Sequence, residues 1–210
     1  MPAPRFREVI TDAAELRRLM GDPPPPCVAK TLRSLDDHCR SFIARSPFVL
    51  ISSCNKQGQM DISPKGDAPG FVQVLSEQSL AIPERPGNLR ADTFTNVLEN
   101  RQVGLIFLIP GKSETLRVSG TAQIIRDADV RESMKAYDRV PEFVLAVDVE
   151  EAFFHCSKCM IRSKLWTPVA WPPLDGLPNL AQTMVDAAKL PMPVQALEEI
   201  IKQDEEERLY

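Results

Sequence analysis

Histidine is scarce: His38 and His155 are the only two in 210 residues. Acid–base catalysis leans on that side chain more than on any other. No GxSxG elbow and no Cys–His–Asn arrangement stands in its place, so hydrolase chemistry is disfavoured. A dominant charge is also missing, since 25 basic and 29 acidic residues leave a net charge of -4. The basic residues are dispersed, whereas a sequence-independent grip on nucleic acid needs a concentrated basic surface. No apolar run approaches the roughly twenty residues that span a bilayer. The opening MPAPRFREVITDAAE lacks the apolar stretch of a signal peptide, and a soluble cytoplasmic protein is expected. The five cysteines, Cys27, Cys39, Cys54, Cys156 and Cys159, are odd in number and follow no export signal, which predicts free thiols and no disulfide framework. No GxGxxG sits in a βαβ alternation, which argues against a dinucleotide-binding domain, and no fixed-period repeat occurs.

What is present is ordinary globular material, 43% hydrophobic and 26% charged, enough for one sizeable core. Residues 5–45 carry helical spacing, with Ala13, Leu16, Leu19 and Met20 near one face and Leu32, Leu35, His38 and Phe42 near another. Pro23–Pro26 break the pattern, predicting two short helices separated by an extended segment. From Pro47 the texture becomes strand-like. PFVLISSC and MDISP flank a turn as one hairpin, and GFVQVL and SLAIP form a second. ADTFTNVLEN reads as a helix capped by Asp92 or Thr93. QVGLIFLIP reads as a strand buried on both faces and ETLRVSGTAQII as an alternating one. That makes six strand-like segments, followed by the helix-like DADVRESMKAYDRV, with Val130, Met134 and Tyr137 on one face, and a last long strand, EFVLAVDVEEAFFHC. After Trp166 a Pro-rich arm and two short acidic helices are expected. Short strands joined by tight turns favour an antiparallel barrel over a doubly wound sheet.

Two clusters carry candidate chemistry. Ser63-Pro64-Lys65-Gly66-Asp67 closes one strand, and Pro83-Glu84-Arg85-Pro86-Gly87-Asn88-Leu89-Arg90 closes another and leads into a helix. Cations, flexible backbone and a helix start suit an anionic ligand. The same residues also suit two polar turns, a nest for a simple anion, or ion pairs of Glu84 with Arg85 or Arg90. His155-Cys156-Ser157-Lys158-Cys159 could offer three zinc ligands, but nothing completes a tetrahedron. No metal is expected, and buried thiols at a strand-to-loop corner are the simpler reading.

FIARSPFVLISS, SPKGDAPGFV, IPERPGNLRADTFTNVLEN, VGLIFLIPGKSETLRVSGTA and FFHCSKCMIRSKLW, in that order over about residues 42–167, together resemble the pyridoxamine phosphate oxidase-like flavoproteins, nearest to an uncharacterised bacterial FMN-binding subgroup. The resemblance implies a mainly β (α+β) chain with a six-stranded antiparallel split β-barrel and peripheral helices. Residues 1–46 would be a helical extension packed on the barrel, 47–167 the barrel, and 168–210 an arm with terminal helices. It implies a homodimer holding FMN at its interface, with Ile62, Ser63, Pro64, Lys65 and Gly66 along the flavin ring and ribityl chain, and Pro83 lining the flavin. Arg85, Asn88 and Arg90 would take the phosphate. Thr115 would reach the flavin across the interface, while Lys158, Arg162 and Ser163 would contact the cofactor bound mainly by the other subunit, with Trp166 covering the ring or packing. His155 would end a strand beside that site. The enzyme's C-terminal Arg-x-His motif has no counterpart, which puts pyridoxamine phosphate oxidation in doubt. If the chain does chemistry, the flavin carries it. The implied activity is an FMN-dependent oxidoreductase acting on an unidentified small molecule. The alternatives are a non-catalytic flavin-binding or flavin-sensing protein, or the same fold using deazaflavin or haem.

Overall fold

The computed structural model describes residues 6–210; the first residue of the predicted 5–45 helical region lies outside the described residues. The chain divides into two compact units, one up to Thr31 and one from Leu32 to Tyr210. In the first, α1 (Ala13–Met20) begins where the Asp12 carboxylate accepts the N–H groups of Ala14 and Glu15, and it ends at Gly21 with φ +75°. The second helix, α2 (Pro25–Ala29), corrects the expected extended break. Two prolines occupy its first turn, where the missing N–H groups have no helical acceptor to lose.

The second unit opens with α3 (Asp37–Ile43), capped by Asp36 accepting from the Cys39 N–H at 2.8 Å. Seven strands then form one antiparallel sheet: β1 (Phe48–Cys54), β2 (Met60–Gly66), β3 (Gln73–Ser76), β4 (Ser79–Pro83), β5 (Gln102–Leu108), β6 (Thr115–Ile125) and β7 (Val144–His155). Their order is β2-β1-β5-β6-β7-β4-β3. The fold is therefore mainly β with helices, as expected, but the count is seven rather than six, and the outer strands β2 and β3 do not pair with each other. Every strand-like segment in the sequence became a strand, including the four-residue β3 at the edge.

Alternation places Val49 and Ile51 of β1, Val103, Leu105 and Phe107 of β5, and Leu116 and Val118 of β6 in one core with Leu35, Cys39 and Phe42. β5 is not buried on both faces. Its other side carries Gly104 and Leu108, both half-buried, and Ile106, which is 37% exposed. Between β6 and β7 the register shifts at Ser119/Gly120. A Cβ on Gly120 would lie 1.9 Å from the Asp148 carbonyl oxygen, so this bulge admits only glycine.

Five α-helices, α4 (Asp92–Glu99), α5 (Ala128–Ser133), α6 (Lys158–Ser163), α7 (Leu180–Ala188) and α8 (Val194–Glu207), and a 3₁₀ turn at Pro168–Ala170 complete the unit. Neither Asp92 nor Thr93 caps α4; the cap is Ala91 at φ +56°, with no side-chain bond. Asp92 pairs with Arg90 instead, and the Thr93 hydroxyl donates to Asp61. α5 stops short of Tyr137, because the Ala136 and Arg139 backbones bond reciprocally around Tyr137 and Asp138, at φ +47° and +61°. That is a hairpin-type turn, not a helical face. Of the two terminal helices only α8 is rich in acids, and with 14 residues it is the longest described helix.

Candidate functional site

The C-terminal end of β2, the loop after β4, the start of α4 and residues 136–143 enclose a cleft of about 850 Å³. Ser63, Pro64, Lys65 and Gly66 enter from β2, and Arg85, Asn88 and Arg90 from the loop. These two clusters are adjacent in space although β2 and β4 lie near opposite ends of the sheet order. Lys65 reaches Glu84 at 2.6 Å across the cleft and lies 5.8 Å from the Phe94 ring centroid. Phe94 meets Phe143 edge-on at 6.0 Å. Glu142, paired with Arg126 and Arg131, and the Arg131 bond to the Pro141 carbonyl hold the opposite wall.

Each cation from the two motifs has a carboxylate partner. Arg85 donates to Asp67 at 2.6 Å and to the Met134 carbonyl at 3.0 Å, with side chains only 17% and 4% exposed. Arg90 donates to Asp92 at 2.7 Å from a more open position. Glu84 thus pairs with Lys65, not with either arginine. Burial would raise the pKa of Asp67. The Ala68 N–H, the Arg85 guanidinium and the Tyr210 hydroxyl outweigh it, and the carboxyl sits below its ordinary range.

The donors best placed for an anion are therefore those at the start of α4. Leu89 and Ala91 both have positive φ, and the Asn88 carbonyl oxygen of the side chain accepts the Arg90 N–H at 3.0 Å. That bond directs the amide nitrogen of Asn88 elsewhere. Ala91 offers no side-chain cap, so the first N–H groups of an eight-residue helix stay available beside the exposed Arg90 guanidinium. An amide, a guanidinium and uncapped helix N–H groups are a donor set that fits a phosphate.

The remaining predicted site residues lie elsewhere. Ile62 does not line the cleft; it lines a separate groove of about 210 Å³ with Leu50, Ser52, Ile106, Arg117 and Phe153. Pro83 is buried, opposite Val144. Thr115 is buried at the start of β6, opposite His155. Lys158, Arg162 and Ser163 are exposed on α6, and Trp166 donates its indole N–H to the Lys112 carbonyl at 2.8 Å. All five thiols are free, as expected, but Cys156 and Cys159 are exposed and not buried. Among the described residues no helix is long and apolar enough to cross a membrane.

A model of the family described as pyridoxamine 5'-phosphate oxidase matches residues 35–156. The chain belongs to this family. The pyridoxamine 5'-phosphate oxidase match spans α3 through β7, so it covers Ser63–Gly66 and Arg85–Arg90 and stops before α6. Solved structures similar to the chain include HupZ of Group A Streptococcus, 20% identical, with 57% of this chain and 92% of that one covered at a TM-score of 0.46. An FMN-binding protein from Syntrophomonas wolfei is 13% identical, with 56% and 83% covered at 0.45. General Stress Protein 26 from Bacillus anthracis is 10% identical, with 54% and 88% covered at 0.42. No curated protein matches the chain.

Beyond the family match lies the residue that sequence reasoning missed. Tyr210 lines the cleft and donates its hydroxyl to Asp67 at 2.9 Å, 143 positions away in sequence. Arg139 and Glu142 line the same cleft and were also missed. No periodicity or local motif marks any of the three.

Proposed function

We propose that this chain binds FMN in the cleft and acts, as a homodimer, as an FMN-dependent oxidoreductase on a small molecule. The observation that carries the reading is the meeting of Ser63–Gly66 with Asn88, Arg90 and the uncapped start of α4 around one cavity, in a chain of the pyridoxamine 5'-phosphate oxidase family. Asn88, Arg90 and the first N–H groups of α4 would hold the phosphate, and Ser63–Gly66 would lie along the ribityl chain and ring. Bound FMN supplies hydride and single-electron transfer that no side chain here can supply. Lys65, shared with Glu84, would hold positive charge where negative charge develops on reduction. Pro83, buried at the end of β4 just before Glu84, would back the wall behind the ring. Ile62, with Ile106 and Leu50 in the second groove, would supply apolar surface for a second subunit, which would bring Thr115, Lys158, Arg162 and Ser163 to the neighbouring flavin.

The visible spectrum of the purified protein, before and after addition of FMN, tests the cofactor. Flavin bands that stay with the protein through desalting are expected, and a protein that remains colourless and rejects added FMN overturns the reading. Arg90→Ala or Asn88→Ala should each weaken FMN binding about tenfold, the effect of losing one charge-assisted contact. Unchanged affinity in both variants moves the phosphate elsewhere. Sedimentation at micromolar concentration tests the dimer.

A further inference from the structure

Tyr210 is held by three contacts, while the end of α8 and the two residues leading to it are exposed. Residues 202–209 are exposed throughout. The tyrosine hydroxyl donates to Asp67, its main-chain oxygen accepts from Arg139, and its ring lies 4.3 Å from that of Tyr137, centroid to centroid. The receiving groups are built in from elsewhere. Asp67 is fixed by Arg85 and its own neighbour's N–H, Ala68, at 2.7 Å. Tyr137 sits at φ +47° next to Asp138 at φ +61°, a turn type that glycine and asparagine prefer. Two consecutive non-glycine residues in the left-handed region are costly, and such strain concentrates at ligand clamps. The turn leaves the Tyr137 ring 77% exposed even with Tyr210 against it, which is no gain for a core.

We propose that these groups form a binding subsite for para-hydroxylated arylalkanoic acids, and that Tyr210 is its displaceable resident. The match is one of functional groups. An acceptor carboxylate at Asp67 calls for a phenolic donor, the Tyr137 ring for a planar aromatic face, and the Arg139 guanidinium for an oxygen acceptor. A ligand carboxylate can offer the Arg139 guanidinium two oxygens side by side, where Tyr210 offers one main-chain oxygen. Ordering three otherwise exposed residues, Arg208–Tyr210, costs conformational entropy of the same order as these contacts return. A segment anchored at one point opens locally at low cost, so a small molecule with the same groups can replace it. The subsite stands on the tyrosine's own contacts and does not depend on the flavin.

The probe is 3-(4-hydroxyphenyl)propionate, which reproduces the Tyr210 side chain, its Cα and its carbonyl carbon, with 3-phenylpropionate as the control lacking the hydroxyl. Calorimetry or ligand-observed NMR should show the hydroxylated acid binding Tyr210→Ala at least fivefold more tightly than the unaltered chain, and the control binding that variant at least fivefold more weakly. Adding Arg139→Ala to Tyr210→Ala should reverse the gain. In the unaltered chain, saturating probe should accelerate amide hydrogen exchange over residues 202–210. Equal affinity for Tyr210→Ala and the unaltered chain, no binding to either, or no preference for the hydroxylated acid overturns the proposal. FMN retention measured on the same samples reports separately on the cofactor.

Discussion

The sheet and the segment after it divide the second unit into two regimes. From β1 to β7 nearly every strand contributes to a single apolar cluster. After His155 only Ala181 and Leu197 are buried among the described residues, while Val169, Trp171, Leu174 and Leu177 are exposed. Yet this lightly packed stretch returns its last residue to the cleft that the sheet frames. Burial in the sheet fixes where the cleft is, while the exposed tail contributes a single residue, Tyr210, to its lining. Local stability varies across a fold in this way, and elements that move are drawn from the weakly packed end.

The sharpest contrast is Phe107→Ala against Val169→Ala. Phe107 is fully buried near the end of β5, and its truncation should cost about 3–5 kcal/mol, since the removed ring leaves a cavity that β1 and β6 cannot close. Val169 is 95% exposed, and its truncation should stay within about 0.5 kcal/mol. Urea unfolding followed by circular dichroism measures both. Comparable losses would erase the distinction between the two regions.

Asp67 stands where the regions touch, and Asp67→Asn should cost about 1.5–3 kcal/mol at pH 7 by weakening the bonds to Arg85 and Tyr210. The pH dependence follows from the lowered pKa of its carboxyl. The ionised, bonded carboxylate stabilises the fold fully above the unfolded value, about 3.9. That contribution is lost as the pH falls below it, through the depressed folded value. The gap between the unaltered chain and Asp67→Asn should thus be constant from pH 5 to 7 and close below pH 4. A gap that persists into acid would show that Asp67 acts through packing, not charge.

These contrasts also mark what the sequence makes legible. Strands announce themselves because burial on one face imposes a period of two over consecutive residues, and all seven segments could be read. Ser63–Gly66 and Arg85–Arg90 were legible because turn chemistry and cations coincide within a few positions. The exposure of Ile106 on the other face of β5 was not, since Gly104 and Ile106 look as apolar as Val103 and Leu105. The left-handed turn at Tyr137 was hidden because 127–140 has helical spacing, which the Arg85 bond to the Met134 carbonyl and the reciprocal turn bonds between Ala136 and Arg139 override. Tyr210 was invisible for a simpler reason: a contact across 143 positions leaves no trace in local pattern.

The mildest probe of the contrast perturbs no packing at all. Cys39 lies buried under the sheet, where loss of solvation and then the neighbouring Asp36 carboxylate push its thiol up to about 12. Thiolate is the reactive form, so at pH 8 Cys39 is both shielded and protonated. Cys156 and Cys159 stand exposed where the sheet gives way to α6. Mass spectrometry after brief iodoacetamide treatment of the folded protein should find both alkylated and Cys39 untouched, with the urea midpoint of the modified protein unmoved. Urea should abolish the selectivity by exposing Cys39. If Cys39 is alkylated in the native state at a rate near that of Cys156, the sheet opens as readily as the tail, and the two regions are one.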